Sequence, residues 1–169
     1  LTDVLDIAAD DTTATLHDRL ADMGGALVVR ALADAQMGKL QPVKQPEVGV
    51  TYAHKIEKAE ATVNWQDSAE VIGRRVRAFN PFPAASAQLG ADVIKLWHAS
   101  VENTAHSETA GTVLSADEHG VRVACGQGVL CVTELQRAGG KRLGAADFLR
   151  GFPITVGQCF EPHTVHKGN

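Results

Sequence analysis

Cysteine, aromatic residues and long apolar runs are scarce in this sequence, and each shortage removes a class of protein. The three cysteines, Cys125, Cys131 and Cys159, form no CxxC pair. Neither a zinc knuckle nor a disulfide framework is expected, and all three are predicted to be small buried hydrophobes. No apolar run approaches the roughly 20 residues needed to cross a bilayer. Leu1 opens a polar stretch with no basic segment followed by an apolar one. No membrane span or signal peptide is therefore expected, and the location is read as cytoplasmic. A Gly-rich phosphate loop, a GxSxG elbow and metal-spaced His/Cys/Asp sets are all missing. His163 and His166 stand three apart, but Pro162, Thr164 and Val165 disfavour the helix that would aim both at one metal. His98, between Trp97 and Ala99, reads as an ordinary strand residue. Catalytic, cofactor-binding and metal-binding residues are expected to be none.

What is present suffices for a folded chain. With 169 residues and 44% hydrophobic composition, the sequence can bury the core of one ordinary domain, or of a small domain with a piece of another. The net charge of −4 is uneven: residues 1–51 hold four Lys/Arg against eight Asp/Glu, and residues 52–169 hold twelve of each. Overall balance still permits a locally basic face, because attraction to phosphate depends on clustering.

Alternation from Leu1 to Ala8 predicts a short strand, ended by the capping cluster Asp10-Asp11-Thr12-Thr13. Leu16, Leu20, Met23, Leu27, Ala31 and Leu32 then recur at helical spacing, with Gly24-Gly25 predicted to break the segment into two helices and Gly38 to end the second. These helices have an apolar face without a partner of comparable size in residues 1–51, which predicts packing on a missing upstream segment or self-association. Gln41 to Gly49, with two prolines and a glycine, reads as an extended connector. Domains are accordingly placed at 1–40, with a linker at 41–50 and a second domain at 51–169.

In that second domain, Tyr52 to Ile56 reads as a short ordered stretch and Ala61 to Trp65 as a strand. Asp67-Ser68 caps a helix that buries Ala69, Ile72 and Val76, turns Arg74, Arg75 and Arg77 outward, and stops at Asn80-Pro81. The period then changes to two. Strands are predicted at 87–89, 93–101, 111–114, 121–125 and 129–135, which suggests a small closed or nearly closed β-barrel. Ala145 to Arg150 reads as a last helix, and the tail from Gly151 as irregular.

Arg74, Arg75 and Arg77, with Lys95, Arg137, Lys141 and Arg142, are the candidate nucleic-acid contacts. Gly139-Gly140-Lys141-Arg142 is a flexible turn presenting two cations, suited to following a phosphate backbone without reading bases. Glu57, Glu60 and Glu70 lie nearby, so residue chemistry alone leaves open a phosphate-gripping face or an ordinary solvated one. Of the aromatics, Tyr52, Trp65, Phe82 and Trp97 are the candidates for stacking, with Trp65 and Trp97 placed where a core would want them.

The run Arg77-Ala78-Phe79-Asn80-Pro81-Phe82-Pro83 resembles the methionyl-tRNA formyltransferase family. So do Leu16-His17-Asp18-Arg19-Leu20, Val50-Thr51-Tyr52-Ala53, Ala61-Thr62-Val63-Asn64-Trp65, Lys95-Leu96-Trp97, Gly111-Thr112-Val113-Leu114 and Gly139-Gly140-Lys141-Arg142, in the family's order. The resemblance implies a mixed α and β chain: a C-terminal OB-like small β-barrel that holds tRNA, preceded by helices left over from a Rossmann-like formyltransferase domain. It implies methionyl initiator tRNA as partner and 10-formyltetrahydrofolate as formyl donor for the full-length enzyme. The family's catalytic Asn, His and Asp match no position here, which implies that this chain is inactive without its catalytic domain. The alternatives are a paralogous sugar-nucleotide formyltransferase and a non-catalytic interaction module.

Overall fold

The computed structural model describes residues 1–162, which form two compact units, one of residues 1–56 and one from Glu57 onward. The first unit holds a single helix, α1 (Thr13–Gln36). Its start is a reciprocal cap: the Thr15 amide donates to the Thr12 hydroxyl, and the Thr12 amide donates to the Thr15 hydroxyl. α1 runs unbroken through Gly24 and Gly25, where a break was expected. Each glycine weakens a helix by about 1 kcal/mol but removes no hydrogen bond, and good helix formers on both sides carry the ladder across. Gly38, with φ of 67°, follows the C-cap residue Met37. No residue of α1 is buried, and Val28, Val29 and Leu32 are exposed. Residues 1–8 form no strand, because an alternating segment becomes one only against an edge to pair with. Residues 39–56 are irregular.

The second unit begins with a short 3₁₀ turn, Lys58–Ala61; where a strand was expected over Ala61 to Trp65, the described residues show an isolated bridge between Thr62 and Ser86, with the Val63 amide donating to the Ser86 carbonyl. Ser68 then caps α2 (Ala69–Ala78) by accepting from the Val71 amide. Seven strands follow: β1 (Ala85–Leu89), β2 (Asp92–Glu102), β3 (Val113–Asp117), β4 (Gly120–Ala124), β5 (Val129–Arg137), β6 (Leu143–Gly144) and β7 (Phe160–Pro162), with α3 (Ala145–Gly151) after β6. The order β3-β4-β5-β2-β1-β7 is antiparallel throughout, with β6 beside β5.

The sheet curls into a half-barrel, and the tail that read as irregular is its closing piece. β7 pairs with β1, while the residues just before it reach back to β3: the Val113 amide donates to the Gln158 carbonyl, the Phe160 amide to the Gly111 carbonyl, and Thr112 bridges Cys159. Inside lie Ile94, Leu96, Val121, Val123, Leu130, Val132 and Leu135, with Trp65 stacked 5.5 Å from Phe160. On β2 the register against β5 shifts around His98, so the inward residues change from Ile94 and Leu96 to Ala99 and Val101.

α2 lies on β2 and β5 through Ala69, Ile72, Gly73 and Val76. The turn between β4 and β5 fixes its start: the Gly126 amide donates to the carbonyls of Trp65 and Asp67, and the Ala69 amide to that of Gln127. A Cβ on Gly126 would stand 1.9 Å from the Gln66 carbonyl oxygen, so only glycine permits this approach. Cys125 and Cys131 are buried as expected, but Cys159 is exposed, because it lies on the short rim segment that closes the sheet. Burial pushes the Cys125 thiol up to about 11, and that of Cys131 upward against the opposing pull of Arg122.

Gly126→Ala is expected to lower stability by about 2–3 kcal/mol in urea unfolding, and an unchanged midpoint would show that the turn is not held against residues 65–67. A thiol reagent at pH 8 is expected to modify Cys159 in the native chain and to reach Cys125 only on unfolding; mass spectrometry of the labelled peptides reads this out.

Candidate nucleic-acid interface

With Ile94 and Leu96 in the core, strand alternation turns Lys95 and Trp97 to the outer face. Lys95 sits in a cross-strand row between Ser86 of β1 and Gln136 of β5. Trp97 Nε1 donates to Gln136 Oε1 at 2.8 Å, and Gln136 Nε2 donates to the Gly140 carbonyl at 2.7 Å, which ties the 138–142 turn to this face. Arg142 comes back from the turn to place its guanidinium 5.0 Å from the Trp97 ring centre, and Lys95 Nζ is 5.9 Å from the same ring. Trp97 was expected in the core. It is instead a half-exposed platform for two cations, since an indole keeps its donor satisfied by Gln136 while the ring faces positive charge.

Beside this platform lies the loop after α2. Ala84, with φ of 70°, returns its amide to the Phe79 carbonyl at 2.9 Å. Asn80 is only 8% exposed, and its Nδ2 donates to the Trp97 carbonyl at 3.0 Å. The loop is thereby held to β2, yet Phe82 at its tip is 61% exposed. Lys58, Phe82, Ser86 and Lys95, with Pro81 and Pro83, line an open cleft of about 350 Å³.

The structure divides the seven predicted contacts into three groups. Arg74 and Arg75 are exposed on α2, paired with Glu70 at 3.8 Å and Asp67 at 3.1 Å, while Arg77 is half-buried and turns back to the Gly73 carbonyl. Lys95 and Arg142 meet on Trp97, with Arg142 also paired to Glu134 through Nε at 2.9 Å. Arg137 has the inward register of Leu135, bonds Asp92 at 2.7 Å, and lies 4.6 Å from the Phe152 ring centre. With Lys141, Leu143, Phe148 and Phe152 it lines a separate pocket of about 150 Å³. Arg137 and Lys95, two predicted members of one surface, therefore belong to opposite sides of the sheet.

Lys58 escaped the sequence reading, because a lone lysine between Glu57 and Glu60 carries no pattern; only the fold brings it to Lys95. Among the described residues, Lys58, Lys95 and Lys141 have no carboxylate partner, whereas Arg74, Arg75, Arg122, Arg137, Arg142 and Arg150 each have one. His98 is exposed on β2, its Nδ1 2.8 Å from the Thr133 hydroxyl. His163 and His166 lie outside the described residues. None of the described helices is long and apolar enough to cross a membrane.

The fold and this surface define the class: a small curled antiparallel module, mixed α and β, in which Lys95 and Arg142 meet on Trp97 at the outer face of β2 and β5. The chain belongs to the family described as formyl transferase, C-terminal domain, which matches residues 55–153. It is 58% identical over 163 residues to the methionyl-tRNA formyltransferase of Delftia acidovorans, covering 95% of this chain and 50% of that protein. It is 58% identical over 154 residues to that of Acidovorax ebreus, covering 89% and 48%. The chain thus spans about half the length of the curated relatives it matches. Among solved structures, HypX from Aquifex aeolicus in complex with tetrahydrofolic acid aligns with a TM-score of 0.60 at 21% identity, over 84% of this chain and 24% of that one. A variant of HypX aligns with a TM-score of 0.66 at 20% identity, over 85% and 27%. These likenesses concern the fold alone.

Asn80→Ala is expected to cost about 1–3 kcal/mol, since it leaves the Trp97 carbonyl short of its partner in a half-buried site. Thermal unfolding followed by tryptophan fluorescence measures it, and an unchanged transition would mean that the loop is not anchored there.

Proposed function

We propose that this chain is the C-terminal part of a methionyl-tRNA formyltransferase and that its outer face grips and positions the tRNA. The full-length enzyme would move a formyl group from 10-formyltetrahydrofolate to the amine of methionyl initiator tRNA, in the cytoplasm, at the start of translation. The relatives at 58% identity carry that name, and the observation that supports a role for this part is the cation-bearing Trp97 platform. Residues 1–40 are read as the end of the catalytic domain, 41–50 as a linker and 51–169 as the tRNA-holding barrel. The uncovered Val28, Val29 and Leu32 of α1 suit a helix that packs on the rest of that domain, or on a second copy when the domain is absent.

The work of this part is positional. Phosphate contacts from Lys95 and Arg142 on the outer face, with Arg74, Arg75 and Arg77 of α2 and with Lys141 and Arg137 around the separate pocket as further candidates, would hold the acceptor arm so that its methionyl end meets the distant catalytic centre already oriented. Catalytic groups and the folate site belong to the catalytic domain in this reading. A sugar-nucleotide formyltransferase would have no use for such a grip.

A salt titration of affinity for initiator against elongator methionine tRNA, read by fluorescence anisotropy, tests the reading. Binding is expected to fall steeply with salt and to differ little between the two tRNAs, because backbone contacts carry no sequence information. Absence of binding at low salt would favour the sugar-nucleotide alternative. Lys141→Ala combined with Arg142→Ala is expected to flatten the salt slope by roughly two, at about 0.9 for each duplex phosphate no longer neutralised; an unchanged slope would remove the turn from the interface.

A further inference from the structure

Phe82 is a large apolar side chain held out into solvent by a loop that is itself anchored. The Ala84 amide closes the loop on the Phe79 carbonyl, and the buried Asn80 ties it to the Trp97 carbonyl. Ala84 keeps a left-handed φ of 70°, a conformation unfavourable for a residue with a Cβ, so the surrounding contacts impose the loop's shape. The 61% exposure of Phe82 therefore belongs to a fixed platform, not to a frayed end. Two lysines distant in sequence, Lys58 and Lys95, line one cleft of about 350 Å³ together with it. Among the described residues neither has a carboxylate partner, in a unit where most arginines have one. Ser86, opposite Lys95 on β1, adds a hydroxyl to the same wall.

An exposed aromatic side chain that shares a cleft with two ammonium groups lacking carboxylate partners is complementary to a π-face joined to an anion. We propose that this cleft is a subsite for one unpaired nucleotide of RNA, its base stacked on Phe82 and its phosphate held between Lys58 and Lys95. The proposal rests on the reading of this face as an RNA grip and goes beyond it, because phosphate contacts alone need no aromatic. A base within a duplex has both faces covered by its neighbours, so the cleft selects a splayed or single-stranded nucleotide. The volume, near the lower end of the roughly 300–1,000 Å³ of ligand pockets, fits one nucleotide and excludes a helix. Stacking on an aromatic ring tolerates any base, since every base has a π-face, so the subsite is expected to show little preference among bases.

The test uses the whole chain and a single-stranded hexaribonucleotide carrying 2-aminopurine, compared with a blunt duplex of the same length. The single strand is expected to bind more tightly and its 2-aminopurine fluorescence to be quenched by stacking. Phe82→Ala is expected to weaken single-strand binding by about tenfold and to abolish the quenching with the salt slope unchanged, and Phe82→Tyr to restore both. Lys58→Ala with Lys95→Ala is expected to lower the salt slope by about 0.7, the value for one single-strand phosphate no longer neutralised. Because Phe82 is exposed, Phe82→Ala should melt with the unaltered chain, which separates a binding defect from a folding one. Equal affinity for duplex and single strand, or quenching that survives Phe82→Ala, would overturn the subsite. If salt-dependent tRNA binding persists in that case, the RNA grip stands without it. Failure to bind tRNA, single strand and duplex alike at low salt would overturn both.

Discussion

The outer face of this module is organised around Trp97, which is bound at three points. Its main-chain carbonyl receives the Asn80 side chain, its indole donor reaches Gln136, and its ring lies beneath Arg142 and Lys95. The loop after α2, the middle of the sheet and the 138–142 turn are thereby joined through one residue. None of these bonds is strong alone, a neutral hydrogen bond contributing about 1 kcal/mol net. Together they convert two surface loops into fixed parts of the sheet. That requires Leu96 to be buried beside Trp97, so the platform and the core are set by the same alternation along β2.

How much of this could be read beforehand follows from the range of the interactions involved. Local patterns were legible: the Ser68 cap and the apolar stripe of α2, the alternation of β1, β2, β4 and β5, and the glycine turns between them rest on neighbours a few residues apart. Long-range pairing was not. β7 is three residues long and has no alternation to recognise, yet it borders β1 while the residues before it bond to β3. Ala61 to Trp65 has the composition of a strand but, among the described residues, forms only an isolated bridge, at Thr62. At the candidate site the arginine-rich helix and the Gly-Gly-Lys-Arg turn were visible as clusters in sequence. Lys58 became visible only when a cross-sheet neighbour appeared beside it, and Trp97 was misplaced because hydrophobicity does not tell a core indole from a cation-bearing one.

The same curled sheet recurs in HypX at 20–21% identity, so the architecture alone does not select a ligand. What can differ between such relatives is the set of side chains that the shared strand geometry points outward. In this chain those side chains include Trp97, and the loop that Asn80 ties to its carbonyl presents a second aromatic, Phe82. An aromatic pair of this kind is costly to leave in water, which makes exposed aromatics more informative about binding than the surrounding charges.

Charge accounting leads to the same side of the molecule. Residues 52–169 carry twelve cations and twelve anions, so the barrel exerts little attraction at long range, and any grip on a polyanion must arise at short range. There the two kinds of cation behave differently. Arg74, Arg75 and Arg142 must exchange a carboxylate for a phosphate, and exposed ion pairs are worth only about 0–1 kcal/mol, so that exchange is cheap but its net gain is small. Lys58, Lys95 and Lys141 have no such partner to give up. In the proposed grip the lysines, two of which line the cleft with Phe82, would therefore offer phosphate an attraction not shared with a carboxylate, while the paired arginines would have to exchange partners.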